Sequence, residues 1–167
     1  MAAFDSGSSH GADGLELDVH LSRDGVVVVH HDATLDRTTD LRGRLSSFTA
    51  AELARADAGY RFRSGDRWPF RRRGIAVPAL ADVLARHRDC RIIIELKGTD
   101  PQLATAVVDV VRQADAVDRV CLGSFHRGVL RAVRRLDPGI ATSAAREEVR
   151  WALYRSRCRW PVSRAAY

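Results

Sequence analysis

Arg91-Ile92-Ile93-Ile94-Glu95-Leu96 is a short, nearly continuous apolar run, the composition of a strand buried on both faces. Asp100-Pro101 follows with an N-cap and a first-turn proline. Leu103, Ala106, Val107, Val110 and Val111 then recur at helical spacing. Val120 to Phe125 reads as another strand, and Val129, Leu130 and Val133 line another helix, which stops before Asp137-Pro138-Gly139. Ile140 to Ser143 forms one more strand, and beyond Glu147 the pattern fades. Strand, helix, strand, helix, strand predicts a parallel sheet with crossover helices, an α/β fold.

Upstream, Leu15-Glu16-Leu17-Asp18-Val19-His20-Leu21 alternates apolar and polar residues at period two, the mark of a strand. The turn-prone pair Asp24-Gly25 joins it to a second β segment, Val26-Val27-Val28-Val29. Thr49-Ala50-Ala51-Glu52 is a capping box that predicts a short helix through about Ala56. Residues Gly59 to Gly74 carry glycine, serine, proline and many arginines without periodicity and read as a loop. Pro78 then introduces Leu80, Val83 and Leu84 at helical spacing.

Composition narrows the class. A chain of 167 residues, 46% hydrophobic and 29% charged, is long enough for one domain with a core. It is unlike a disordered tail, a collagen-like repeat or a disulfide scaffold. No apolar run approaches the roughly 20 residues of a membrane span. The start, Met1-Ala2-Ala3-Phe4-Asp5, shows no signal peptide, and Cys90, Cys121 and Cys158 read as reduced thiols, so the expected location is cytoplasmic. Net charge is +6, and Lys97 is the only lysine beside 26 arginines. The arginines are scattered, and no aromatic residues alternate with them as a stacking platform would require, so no specific nucleic-acid partner is expected. The charge reads as a solvated face, with a basic rim attractive to phosphate as the alternative.

Glu16 and Asp18, His31 and Asp32, Glu95 and Lys97, and Ser124 all fall at or just past strand C-termini, the rim that carries the chemistry in (β/α) folds. Glu16 and Asp18 are two apart, so both side chains point to one face, roughly 6.6 Å apart along the backbone. Carboxylates held so closely repel each other unless a cation lies between them. An oxygen-rich site of this kind suits Mg²⁺ or Ca²⁺ rather than zinc, and Glu95 would make a third ligand. That reading requires the three carboxylates to meet within about 10 Å, since a single ion's bonds span only 2–2.6 Å. His31 ends the valine run with an imidazole able to give or take a proton during hydrolysis. His30 points the opposite way if the strand continues, and His10, His20, His87 and His126 read as structural.

Several blocks resemble the signature of the glycerophosphodiester phosphodiesterase family. They are Gly11-Ala12-Asp13-Gly14-Leu15-Glu16-Leu17-Asp18-Val19, then Ser22-Arg23-Asp24-Gly25, then Val28-Val29-His30-His31-Asp32-Ala33-Thr34-Leu35-Asp36-Arg37-Thr38-Thr39. The match continues through Val77-Pro78-Ala79-Leu80, Ile94-Glu95-Leu96-Lys97 and Leu122-Gly123-Ser124-Phe125. The resemblance implies a TIM-type (β/α) barrel, a divalent metal, and hydrolysis of a small-molecule glycerophosphodiester to an alcohol and glycerol 3-phosphate. It implies Glu16, Asp18 and Glu95 as metal ligands, and His31, the histidine that Asp32 must follow, as one of two acid/base histidines. Lys97 looks like a phosphate-side contact, where a compact ammonium would be retained in an otherwise arginine-rich chain, and Ser124 a further substrate-side residue.

The family's opening His-Arg-Gly strand and Pro-Glu-Asn-Thr segment have no counterpart, and the pattern fades after Ser143. The expectation is therefore an incomplete barrel over residues 1–145, lacking the first and last strands, followed by a divergent tail over 146–167. A full barrel of this type takes about 250 residues. Such a fragment is expected to be poorly stable and weakly active or inactive. Two other readings are a related barrel phospholipase of the phosphoinositide or sphingomyelin type, and a non-catalytic remnant that binds anions.

Overall fold

The computed structural model describes residues 1–157; Cys158 and the rest of the tail after Arg157 lie outside them. The alternating segment forms β1 (Gly14–Leu21), and Val27–Val29 forms β2, which turns back antiparallel through the Asp24-Gly25 turn. Gly25 takes φ +80, the left-handed conformation that makes a glycine useful there. The apolar run is β3 (Arg91–Leu96), and β4 (Val120–Gly123) and β5 (Ala141–Thr142) follow. The sheet order is β2-β1-β3-β4-β5, parallel from β1 to β5. The sheet is an arc of (β/α) barrel wall, an incomplete TIM-type barrel: β2 is flanked only by a single bridge from Val28 to Ala79, with the Val29 N–H donating to the Pro78 carbonyl at 2.9 Å, and among the described residues no strand pairs beyond β5.

One face of the arc is covered. Leu15, Leu17 and Val19 of β1, Ile92, Ile94 and Leu96 of β3, and Val120 and Leu122 of β4 are buried against helices. Those helices are α3 (Leu80–Arg86), α4 (Pro101–Gln113) and α5 (Arg127–Leu136). In α4 the Asp100 carboxylate accepts from the Gln102 N–H at 2.9 Å, the cap expected from Asp100-Pro101. The buried stripe of α4 is rotated from the expected one: Ala104 and Val108 are fully buried while Ala106 and Val110 are only half-buried. The helix packs against α5 and α3 as well as the sheet, so its buried arc is wider than one periodic stripe.

The opposite face corrects the expectation for β3. Its burial alternates, with Ile93 51% exposed and Glu95 half-buried, because no described residue covers that side of the sheet. β4 and β5 are also shorter than expected; Ser124 and Phe125 have already left the sheet.

Before β1, a helix that the sequence left unassigned, α1 (Ala2–Ser9), lays Met1 and Phe4 on the core. Its Asp5 accepts from the Arg86 guanidinium at 2.6 Å. His87 is buried beneath it, edge-on to the Phe4 ring. The capping box is present, with the Thr49 hydroxyl accepting from the Glu52 N–H and the Glu52 carboxylate from the Thr49 N–H. The helix it starts, α2 (Ala50–Leu53), ends three residues sooner than expected. Between β2 and α3 a small second core of Val28, Leu35, Leu45, Leu53 and Val77 anchors the long connection.

Residues 59–74 run without helix or strand, as expected, but one expectation about them fails. Tyr60, Phe62, Trp68 and Phe70 do interleave with Arg61, Arg63, Arg67 and Arg71, and their side chains share one surface. After β5, Arg146–Arg157 forms α6, fastened to α5 by Arg134, whose guanidinium meets the buried Glu148 carboxylate at 2.7 Å. Among the described residues no helix is long and apolar enough to cross a membrane.

Candidate active site

The pleat of β1 sends Glu16, Asp18 and His20 to the open face, opposite the buried Leu15, Leu17 and Val19. Parallel pairing sets Asp18 beside Glu95 and Glu16 beside Ile93. The three carboxylates consequently converge, with one oxygen from each lying within 4.8 Å of the others, well inside the 10 Å the sequence reading required. Gly123 is the next residue across the sheet from Glu95 and adds no side chain to that layer.

Lys97 continues the backbone ladder, its N–H donating to the Val19 carbonyl at 3.1 Å. Its ammonium reaches Asp18 Oδ1 at 2.9 Å and Glu95 Oε1 at 2.8 Å. Burial works against the charged amine, but the hydrogen bonds to Glu95 and Asp18 outweigh it and hold the Lys97 pKa above the ordinary lysine range. Glu16 is left with the surplus charge. Burial, then repulsion from Asp18 and Glu95, pushes its carboxyl above the usual range, with Lys97 and His31 only partly offsetting them. Three carboxylates against one ammonium, with oxygen the only donor element, fit a hard divalent cation such as Mg²⁺ or Ca²⁺.

His31 stands at the same rim: its carbonyl lies 3.3 Å from His20 Nε2, and the preceding His30 N–H donates to the Asp18 carbonyl at 2.9 Å. Asp32 fixes the His31 ring: Asp32 Oδ1 lies 2.7 Å from His31 Nδ1, while Arg37 grips both carboxylate oxygens at 2.6 and 3.0 Å. The Arg37 and His31 hydrogen bonds hold the Asp32 carboxyl far below the usual carboxylate range. A carboxylate only accepts, so Nδ1 carries the proton and donates, which leaves Nε2 as the working nitrogen. His30 is not on a strand, since β2 ends at Val29; its Nε2 lies 3.2 Å from the Thr34 carbonyl and its N–H donates to the Asp18 carbonyl.

Ser124 does not join the carboxylate cluster. It is buried, its hydroxyl donating to the Leu96 carbonyl at 2.9 Å and accepting from the His126 N–H at 3.2 Å, so it fastens the end of β3 to the turn before α5. His20, left among the structural histidines by sequence reasoning, belongs to the site's face. It follows Asp18 by two and its Nε2 lies 3.3 Å from the His31 carbonyl. Extending the Glu16, Asp18 alternation by one more step would have found it.

Two outcomes follow from these contacts. Lys97→Met is expected to lower stability by about 1–2 kcal/mol, between the values for exposed and buried ion pairs, because Asp18 and Glu95 lose their shared partner. Added Mg²⁺ or Ca²⁺ should raise the melting temperature of that variant more than that of the wild type. The second concerns acid. The Asp32 value is depressed in the folded chain, so its contribution is complete above the ordinary carboxylate value of 3.8 and is lost as pH falls through the depressed folded value. Urea unfolding of wild type and Arg37→Gln should therefore differ by a constant amount above pH 3.8 and converge below it.

Residues 1–161 match the sequence model of the Glycerophosphoryl diester phosphodiesterase family. A glycerophosphodiester phosphodiesterase of Caldanaerobacter subterraneus subsp. tengcongensis is 35% identical over 143 residues, which are 83% of this chain and 56% of that protein. The chain thus spans little more than half the length of that relative. Among solved structures, the glycerophosphoryl diester phosphodiesterase domain of a Mycobacterium tuberculosis protein superposes with a TM-score of 0.83 at 26% identity, covering 93% of this chain and 57% of that one. An Oleispira antarctica phosphodiesterase, solved with the product sn-glycerol-3-phosphate, gives a TM-score of 0.77 at 25% identity, covering 95% of this chain and 65% of that one.

Proposed function

The chain belongs to the glycerophosphoryl diester phosphodiesterase family, and on that premise we propose that it hydrolyses glycerophosphodiesters, with a divalent cation, to an alcohol and sn-glycerol 3-phosphate. The observation that carries this reading is the meeting of Glu16, Asp18 and Glu95 within 4.8 Å at the rim where His31 stands. The product complex of the Oleispira antarctica phosphodiesterase supports the substrate class.

Glu16, Asp18 and Glu95 would hold Mg²⁺ or Ca²⁺. When bound, the ion supplies Lewis-acid stabilisation of charge on the phosphoryl oxygens. Lys97, already between Asp18 and Glu95, offers its ammonium to a phosphate oxygen on the same side. His31 Nε2 handles the proton, because Asp32 and Arg37 fix the ring through Nδ1. Water adds to phosphorus, the bond to the alcohol oxygen breaks, and that oxygen leaves as the protonated alcohol. Ser124 shapes the substrate side of the rim by holding the Leu96 carbonyl. Residues 1–145 carry these roles. The unpaired thiols of Cys90 and Cys121 suit a reducing, cytoplasmic setting.

The test is release of sn-glycerol 3-phosphate from glycerophosphocholine by the purified 167-residue chain, with Mg²⁺ or Ca²⁺ and with chelator. The expected result is slow turnover that stops with chelator, slow because the face holding Ile93 and Glu16 is open to water. Binding of sn-glycerol 3-phosphate without any turnover would overturn the enzyme reading in favour of an anion-binding remnant.

A further inference from the structure

The excursion at residues 59–74 has no part in the chemistry above, yet it is the most unusual surface of the molecule. From Tyr60 to Arg73 it carries six arginines and one acid, Asp66. Among them Phe62, Trp68 and Phe70 are 52%, 40% and 42% exposed. The surface is built, not frayed. Phe62 and Phe70 pack edge-to-face with ring centres 4.9 Å apart. The Arg71 guanidinium lies 4.2 Å from the Tyr60 ring centre and 4.3 Å from that of Trp68, and its Nε donates to the Tyr60 carbonyl. Gly59 is required beneath, since a Cβ there would collide with the Phe70 carbonyl. Arg67, Arg72 and Arg73 point charge outward with no ion-pair partner for their side chains among the described residues.

We propose that residues 60–73 dock the protein on an anionic phospholipid bilayer, with Phe62, Trp68 and Phe70 at the headgroup–acyl boundary and Arg67, Arg72 and Arg73 on lipid phosphates. Amphipathic rings beside basic side chains are the composition that settles at that interface, the rings by burial and the guanidiniums by attraction to negative headgroups. Single-stranded nucleic acid suits the surface less. It needs open ring faces in a row for successive bases. Here Arg71 already occupies one face each of Tyr60 and Trp68, and Phe62 and Phe70 meet edge to face, so the rings do not form a row of parallel open faces. The Arg61 Nε–H donates to the Thr39 carbonyl at 3.0 Å, which ties the patch to the connection bearing His31, Asp32 and Arg37. Docking there would fix the rim's position relative to the bilayer.

Co-sedimentation with vesicles tests this, using phosphatidylcholine alone and phosphatidylcholine mixed equally with phosphatidylglycerol. Wild type is expected to pellet with the mixed vesicles only. Each basic residue at such a surface is worth about fivefold, so Arg67→Glu, Arg72→Glu and Arg73→Glu together, which also add three negative charges, should lower partitioning by more than about a hundredfold. Phe62→Ser with Trp68→Ser should lower it by about tenfold or more. An equal number of reversals elsewhere, Arg88→Glu, Arg131→Glu and Arg135→Glu, all exposed, should leave it close to wild type. A readout independent of those variants comes from Trp151→Phe with Trp160→Phe, in which Trp68 alone fluoresces and should be quenched by brominated acyl chains. The proposal is overturned by equal losses in both arginine triples, by unquenched Trp68, or by binding to a single-stranded oligonucleotide without binding to vesicles.

Discussion

Glu95→Gln is expected to remove divalent-cation binding and bring hydrolysis to background while leaving the chain folded. The substitution keeps the side chain's shape and takes away one of three charges. Loss of an outer partner of a metal ligand already costs 10–100-fold in affinity, so loss of a ligand should cost more than about a hundredfold. Folding should respond in the opposite sense. Glu16, Asp18 and Glu95 share a single ammonium, and Asp18 would then have Lys97 to itself. Without added metal, the variant should melt no lower than the wild type. Calorimetric titration with Mg²⁺ or Ca²⁺, together with the melting temperature with and without the ion, separates the two effects. A variant that kept the metal-induced rise in melting temperature would show that Glu95 is not a ligand.

The second large effect is on the proton. His31→Gln should lower kcat by about 10²–10⁴-fold, the usual contribution of a positioned acid or base. The His31 side chain is 67% exposed, so the substitution should change stability by no more than about 0.5 kcal/mol. Metal affinity should be nearly unchanged, in contrast with Glu95→Gln. A variant that kept the wild-type kcat would move the proton-transfer role elsewhere, with His20 an imidazole on the open face, its Nε2 against the His31 carbonyl.

Much of this site is legible before any coordinates, because the signals are short-range. Period two places Glu16 and Asp18 on one face of a strand, and nothing distant can change that. Asp100-Pro101 and Thr49 with Glu52 form caps among close neighbours, and both are found as read. His20 lies one further period of two along the same alternation, whereas hydropathy alone does not decide the burial of Ile93. An isoleucine between two others reads as doubly buried, but burial depends on what lies over the sheet, and no described residue lies over that face. The surface of 60–73 is hidden for a related reason: Tyr60-Arg61-Phe62-Arg63 alternates over only four residues, and Trp68, Phe70 and Arg71 join it only when the loop closes over Gly59.

Local order along the backbone was therefore enough to establish the five strands, the helices between them, the parallel sheet, and which acids, histidine and lysine fall at strand ends, though not α1 or α6. What needed the folded chain was their mutual placement. Asp18 lies beside Glu95 because β1 and β3 pair in one register, and a slip of one residue would have sent Glu95 to the buried face. Lys97 between the two acids, Arg37 behind Asp32, and Ser124 bound to Leu96 rather than facing the cluster are all results of that pairing and of loop closure. Periodicity is a property of consecutive residues, whereas distance and charge compensation depend on segments far apart in the chain, and only packing brings those together.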